Sequence, residues 1–286
     1  MNYILYNEKC GESRSDPIFQ NRVQKKIEEK IGKGDFVSLI DFDCSFFFKH
    51  LFPSDSVVVV GGDGTLHWFI NSVDIDRFPC SLYLCPGGSG NDFYRDITGK
   101  EYSHFDLVKI NKYITDLPRA EINGEIYRFI NGIGFGIDGE TCAKAEELKK
   151  KGKAKINYSR ITLRLILGRF LRPKADVIID GEKRSFNNVY LVSSMKGRYY
   201  GGGVMISPGQ DRQTGYLTLI VASDKGRLSA LYNFMKVIKG KHLSEDNSGL
   251  CKVFICSGID VVFSSPCALE IDGEVIRDVT SYKVRT

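Results

Sequence analysis

Val57-Val58-Val59-Val60-Gly61-Gly62-Asp63-Gly64-Thr65-Leu66 is the stretch on which the reading of the whole chain turns. Four consecutive β-branched residues without polar alternation describe a strand buried on both faces, as in a parallel sheet covered by helices. The glycines after it permit a sharp turn, and Thr65 to Ser72 reads as a helix that Thr65 is placed to cap. Strand, glycine turn and helix start, in that order, offer backbone N–H groups and the positive end of a helix dipole to an anion such as phosphate. Asp63 beside a phosphate is repulsive unless a cation bridges the two, as in a magnesium nucleotide. No lysine follows as in a Walker A loop, and the spacing is not a Rossmann fingerprint. On composition alone, a plain strand-to-helix turn explains the glycines equally well.

Working outward, the first ~120 residues alternate strands and helices. Tyr3 to Tyr6 reads as a strand, Asn7 to Ser15 as a polar turn, and residues 16–31 as an amphipathic helix with Val23, Ile27 and Ile31 four apart. Phe36 to Ile40 is a second strand and Ser81 to Cys85 another. A second glycine loop follows, Cys85-Pro86-Gly87-Gly88-Ser89-Gly90-Asn91-Asp92-Phe93, and leads into a helical turn. Ligands of open α/β sheets bind beyond the carboxyl ends of the strands, so both loops are expected at one edge, forming a polyphosphate cradle. Asn91 and Asp92 supply an amide and a carboxylate to a nucleotide or a metal.

After about residue 118 the pattern changes. Asn123-Gly124, Asp180-Gly181 and Asp272-Gly273, each between apolar strand-like runs, are strong hairpin signals. Val189–Ser193, Tyr216–Ala222, Lys252–Cys256 and Asp260–Phe263 add strands, interrupted by helical regions near Thr141–Leu171 and Leu228–Lys239. The expected architecture is a three-layer α/β domain over residues 1–118 and a mostly antiparallel β-sandwich domain over 119–286, with the C-terminal tail free to return to the first.

Several of these segments resemble one family. Gly61-Gly62-Asp63-Gly64-Thr65 is similar to the signature of the diacylglycerol kinase catalytic domain, shared with sphingosine kinases, NAD kinases and, more distantly, phosphofructokinases. Pro86 to Tyr94 resembles the Pro-x-Gly-Thr-x-Asn-Asp-Phe pattern of the lipid-kinase branch. Asn131-Gly132-Ile133-Gly134-Phe135-Gly136, Gly201-Gly202-Gly203 with Ser207-Pro208, and Ile271-Asp272-Gly273-Glu274 resemble its later landmarks, in the same order. The resemblance, closest to the soluble bacterial lipid kinases, implies an N-terminal NAD kinase/phosphofructokinase-like domain and ATP in a cleft between two domains. It implies nucleotide contacts at Asn7, Gly61, Gly62, Asp63, Gly64, Thr65, Leu66, Gly88, Ser89, Asn91 and Asp92. It further implies Mg2+ as a cofactor, with Asp92 among its ligands, and Asp272 and Glu274 at the acceptor hydroxyl, one of them as general base.

Chemistry agrees with that last role. A lipid alcohol has a very high pKa, so a carboxylate within reach must take its proton as the bond to phosphorus forms. Asp-x-Glu on a strand would put both carboxylates on one face. Spacing alone does not choose among the three Asp-Gly-Glu triplets, Asp138–Glu140, Asp180–Glu182 and Asp272–Glu274, any of which can be a hairpin turn. The chain also departs from the family. The first turn lacks the usual Pro and Ser, and His67 stands where Asn is usual. In the segment implied to carry a structural magnesium ion, Asp211 to Tyr216, Thr214 replaces an Asp. Asp211 and Tyr216 remain as its ligands; unless Asp211 supplies the missing carboxylate, the ion is weakened or absent.

Composition sets the remaining bounds. No stretch approaches the ~18 apolar residues of a spanning helix, and the N-terminus lacks the features of a signal peptide. A cytoplasmic protein meeting lipid peripherally at the inner membrane face is therefore expected. The eight cysteines form no Cys-x-x-Cys pair, so reduced, buried thiols are expected. Leu148 to Ala175 holds ten Lys or Arg and no acid, with Ile156, Leu163, Ile166, Leu167 and Phe170 on one stripe. Such a helix can lie on an anionic membrane or pack by its stripe and leave a solvated basic face. Interleaved aromatics are few, so no nucleic acid partner is expected. Oligomeric state is not legible; a homodimer is left open. The reading is a lipid kinase. Its rivals are a soluble-substrate kinase of the NAD kinase type and a regulator that binds nucleotide or lipid without catalysis.

Overall fold

The computed structural model describes residues 1–7, 17–40, 42–88, 90–100, 106–153, 156–168, 170–223, 226–238 and 251–286. The chain divides into two compact units, Met1–Leu117 and Pro118–Thr286.

The first unit runs β1 (Asn2–Tyr6), α1 (Pro17–Ile31), β2 (Asp35–Ser38), α2 (Cys44–Lys49), β3 (Ser56–Gly61), α3 (Asp63–Ser72), β4 (Ser81–Pro86), α4 (Asp92–Thr98) and β5 (Val108–Lys109). Its sheet has the order β2-β1-β3-β4-β5, parallel except for β5. Val57, Val58 and Val59 are wholly buried, as a strand covered on both faces requires. Val58 and Val60 pack with Val23 and Ile27 of α1. Val57 and Val59 point to the opposite face, where α3 packs against β3. β2 and β3 flank β1 on opposite sides, so the connections reverse direction between β1 and β3. That is the topological switch point, where open α/β sheets bind ligands.

The second unit runs β6 (Arg119–Ile122), β7 (Glu125–Arg128), β8 (Gly132–Gly136), α5 (Ile137–Lys150), α6 (Tyr158–Leu167), β9 (Ala175–Ile179), β10 (Glu182–Phe186), β11 (Leu191–Met195), β12 (Tyr199–Tyr200), β13 (Val204–Met205), β14 (Leu217–Ala222), α7 (Arg227–Ile238), β15 (Cys251–Cys256), β16 (Gly258–Ile271) and β17 (Glu274–Arg285). The main sheet has the order β15-β14-β11-β8-β16-β17-β6-β7, and β9 joins β16 and β10. β16 serves two neighbours: its first half pairs with β9, its last residues with β8, and its register on β17 shifts between Val262 and Leu269. Such irregularities bend a strand, which lets one long strand turn the sheet around a common core. Phe135, Phe263 and Tyr282 meet in that core. The C-terminal strand pairs with β16 and β6, so the tail stays in this unit.

The three expected hairpins form. Asn123-Gly124, Asp180-Gly181 and Asp272-Gly273 each have both residues at positive φ, the tight turn that matches strand twist. Two expectations fail. The helical region at 141–171 is two helices, because Gly152 ends α5 at φ 84° and Asn157 caps α6 by accepting the Arg160 amide at 2.8 Å. It also begins earlier: Asp138-Gly139-Glu140 is the first turn of α5, not a hairpin. Gly139 is required there, since a Cβ would lie 1.9 Å from the Ala268 carbonyl oxygen. Thr65 lies inside α3 rather than capping it; the cap position is Gly62, and Thr65 packs on Gly61.

Candidate active-site residues

The two glycine loops follow β3 and β4, whose ends are in register at Gly61 and Pro86. The loops interlock. Gly87 N donates to Gly61 O at 3.1 Å, and Asp63 N donates to Gly90 O at 3.1 Å. A Cβ on Gly62 would lie 2.4 Å from Gly90 O, and one on Gly88 would lie 2.4 Å from Gly62 Cα, so side chains are excluded where the loops touch. Asp63 completes the join: its carboxylate accepts the Asp92 amide at 2.9 Å and the Phe93 amide at 3.0 Å. Gly64 and Leu66 continue into α3, with Leu66 buried. Tyr6 is in register with Val60, which puts Asn7 at the same carboxyl edge as Gly61. Ser89 lies outside the described residues.

Asn91 donates to Gly88 O at 2.7 Å, while its own Oδ1 is buried and takes no hydrogen bond. An orphaned buried acceptor beside a glycine cradle suits a ligand that brings a donor, such as a ribose hydroxyl, an adenine amine or a metal-bound water. Asp92 is buried, with Arg95 at 4.0 Å. The residues present thus suit a nucleotide.

Asp211, Thr214 and Tyr216 are less suited to a structural ion. The Asp211 carboxylate accepts the Gln213 amide at 2.9 Å, and the main-chain oxygens of all three residues already accept protein donors. The loop therefore does not fit a magnesium ion.

In the second unit Asp272 and Gly273 form the turn between β16 and β17, and Ile271 pairs with Glu274. The two carboxylates therefore straddle a hairpin turn instead of sharing a strand face, which corrects the sequence expectation. Asp272 is buried and accepts the amides of Ile130, Asn131 and Gly132 at 2.7, 2.8 and 3.2 Å. Glu274 is exposed. Asp138, at the start of α5, and Glu270, at the end of β16, both approach Gly134: a Cβ there would lie 2.8 Å from Asp138 Oδ2 and 3.2 Å from Glu270 Oε2. Burial pushes the Asp138 carboxyl up to about 7, against a hydrogen bond from Tyr200 that lowers it. Burial, then the Asp138 charge, pushes the Tyr200 hydroxyl well up. The Cys142 thiol is raised first by burial and then by the charges of Glu270, Asp138 and Glu274, which marks these carboxylates as neighbours.

Two family models cover the chain. Residues 2–116 match the diacylglycerol kinase catalytic domain, and residues 131–283 match the YegS C-terminal NAD kinase beta sandwich-like domain. The chain belongs to the diacylglycerol kinase family of lipid kinases. Relatives include "Putative lipid kinase YtlR" of Bacillus subtilis, 24% identical over 96% of this chain and 93% of that one. A diacylglycerol kinase of Mycobacterium tuberculosis is 25% identical over 78% and 74%. The solved structure of a diacylglycerol kinase from Bacillus anthracis superposes with a TM-score of 0.67 at 18% identity, over 100% and 93% of the two chains, a likeness of fold. Membership of a kinase family implies phosphotransfer from ATP. Among the described residues, no helix is long and apolar enough to cross a membrane.

Sequence reasoning did not single out Tyr200 or Glu270, and it read Asp138 only as part of a triplet. Nothing local marks them, because Gly134, β16 and α5 bring them together only in the folded chain.

Proposed function

We propose that this protein transfers the γ-phosphoryl group of ATP to a hydroxyl of diacylglycerol or a similar lipid. The observation that carries the reading is the pair of interlocked glycine loops at the carboxyl edge of β3 and β4, beside the switch point. Their backbone holds the triphosphate without side-chain interference, and Asp63 fixes one loop against the other. Magnesium bound with the triphosphate, with Asp92 as the nearby carboxylate, would neutralise phosphate charge. In the second unit Glu274 is the proton acceptor, because its carboxylate is exposed. Asp272 is a positioning residue, both of its oxygens being held by backbone amides. A base must reach the proton it takes, which favours the exposed Glu274 carboxylate over the buried Asp272 carboxylate that holds three backbone amides.

A lipid acceptor is met at a membrane surface, and one face of the second unit supports such contact. α6 turns Ile161 and Ile166 inward and leaves Arg160, Arg164 and Leu167 exposed. α7, which packs against α6, turns Ala230, Leu231 and Phe234 toward the core and leaves Leu228, Tyr232 and Met235 exposed in one stripe. Apolar tips set among cations suit an anionic bilayer. Incubation with labelled ATP, magnesium and a panel of lipid and soluble alcohols tests the reading. Label on diacylglycerol-like lipid, enhanced by vesicles, is expected; label only on a soluble acceptor would transfer the protein to the NAD kinase-like alternative.

A further inference from the structure

The loop from Asp211 to Tyr216 is where the lipid-kinase resemblance implies a structural magnesium ion, and the chain fills it with donors of its own. Gln210 Nε2 donates to Asp211 O at 3.2 Å and to Tyr216 O at 3.0 Å. The Lys196 ammonium donates to Thr214 O at 2.8 Å. The Thr214 hydroxyl donates to Asp211 O at 2.9 Å. Both principal donors are built in rather than draped over the surface: Gln210 is 7% and Lys196 5% exposed. Gln210 is held in turn by Thr218, whose hydroxyl donates to Gln210 Oε1 at 2.6 Å. A magnesium ion needs about six oxygens near 2.1 Å, and usually a carboxylate among them. Here the main-chain oxygens are engaged, Thr214 carries no charge, and Asp211 Oδ1 is taken by the Gln213 amide. An ion on Thr214 O would also sit within about 5 Å of the Lys196 ammonium, where like charges repel.

We propose that Gln210 and Lys196 replace the structural ion in this protein, so that the second unit holds its shape without a divalent cation. What they hold reaches the acidic turn. Arg212, in the same loop and 6% exposed, donates to Ile130 O and, at 3.0 Å, to Asn131 Oδ1. The amides of Ile130 and Asn131 are two of the three that grip Asp272. Lys196 is joined to the same segment through its own amide, which donates to Asn131 O at 2.9 Å. The Gln210 amide and the Lys196 ammonium therefore brace the loop that presents Arg212, and Arg212 braces the backbone that positions Asp272 and the turn to Glu274. Any divalent requirement of the protein then belongs to its nucleotide alone.

The test is thermal unfolding of the nucleotide-free protein, which reads the loop independently of any activity. Equal melting temperatures in EDTA and in millimolar Mg2+ are expected. A wild-type protein that loses several degrees in EDTA and regains them with Mg2+ overturns the proposal. Gln210→Glu keeps the shape but sets an acceptor against two carbonyl oxygens. It is expected to lower the melting temperature by roughly 4–8 °C, from the loss of two buried donor bonds. An unchanged melting temperature in that variant also overturns the proposal. Where the variant fails to fold, the wild-type comparison in EDTA and Mg2+ decides the matter.

Discussion

Gly88→Ala probes the contact on which the proposed nucleotide binding rests. The new Cβ would stand 2.4 Å from Gly62 Cα, 2.6 Å from Gly62 N and 3.3 Å from Gly90 O. All three are backbone atoms, so no rotamer change relieves the overlap. Ordinary contact begins near 3.4 Å, so the loops must separate by about 1 Å. That displacement stretches the Gly87–Gly61 and Asp63–Gly90 hydrogen bonds, each now 3.1 Å, past bonding distance. It also strains the Asp63 bonds to Asp92 and Phe93. Two lost bonds at ~1 kcal/mol each give ~2 kcal/mol, within the usual range for overpacking. If the same displacement is charged against the nucleotide-competent arrangement, ATP affinity falls about 30-fold. Calorimetric titration with ATP and thermal unfolding measure both effects. Gly209→Ala is the control, because nothing lies within 4 Å of its Cβ and its φ is not left-handed. A Gly88→Ala protein with wild-type affinity and melting temperature would refute the claim that the loops work as one interlocked unit.

Other outcomes follow from the second unit. Glu274→Gln is expected to lower kcat by ~10²-fold or more with little change in stability, whereas Asp272→Asn, which weakens its hold on three backbone amides, should lower both; steady-state kinetics with urea unfolding separates the two roles. Asp138 binds its proton more tightly in the folded protein, at about 7, than as an ordinary carboxyl. The native state therefore holds the extra proton between about pH 4 and 7, and stability falls as pH rises through that window, then levels off above it. The difference amounts to at most ~4 kcal/mol. Asp138→Asn should flatten this slope and gain on wild type at pH 8; parallel pH profiles for the two proteins would contradict it. Gly139→Ala drives a Cβ to 1.9 Å from the Ala268 carbonyl oxygen and should destabilise by ~3 kcal/mol in urea unfolding; a loss under ~1 kcal/mol would mean that α5 can move off β16.

The features that rest on local backbone chemistry are legible in the residues alone. Val57–Val60 has to be a doubly buried strand, the glycines after β3 and β4 have to turn, and Asn123-Gly124, Asp180-Gly181 and Asp272-Gly273 readily take up positive φ whatever surrounds them. Tertiary structure alone decided what the charged groups do. Asp138-Gly139-Glu140 reads like Asp272-Gly273-Glu274, yet one opens a helix pressed on Ala268 and the other is a hairpin turn. Asp63 grips amides about 30 positions away and Asp272 amides about 140 positions away. A carboxylate's role depends on which donors reach it, and those donors arrive through strand pairing and packing over distances along the chain that no local pattern encodes.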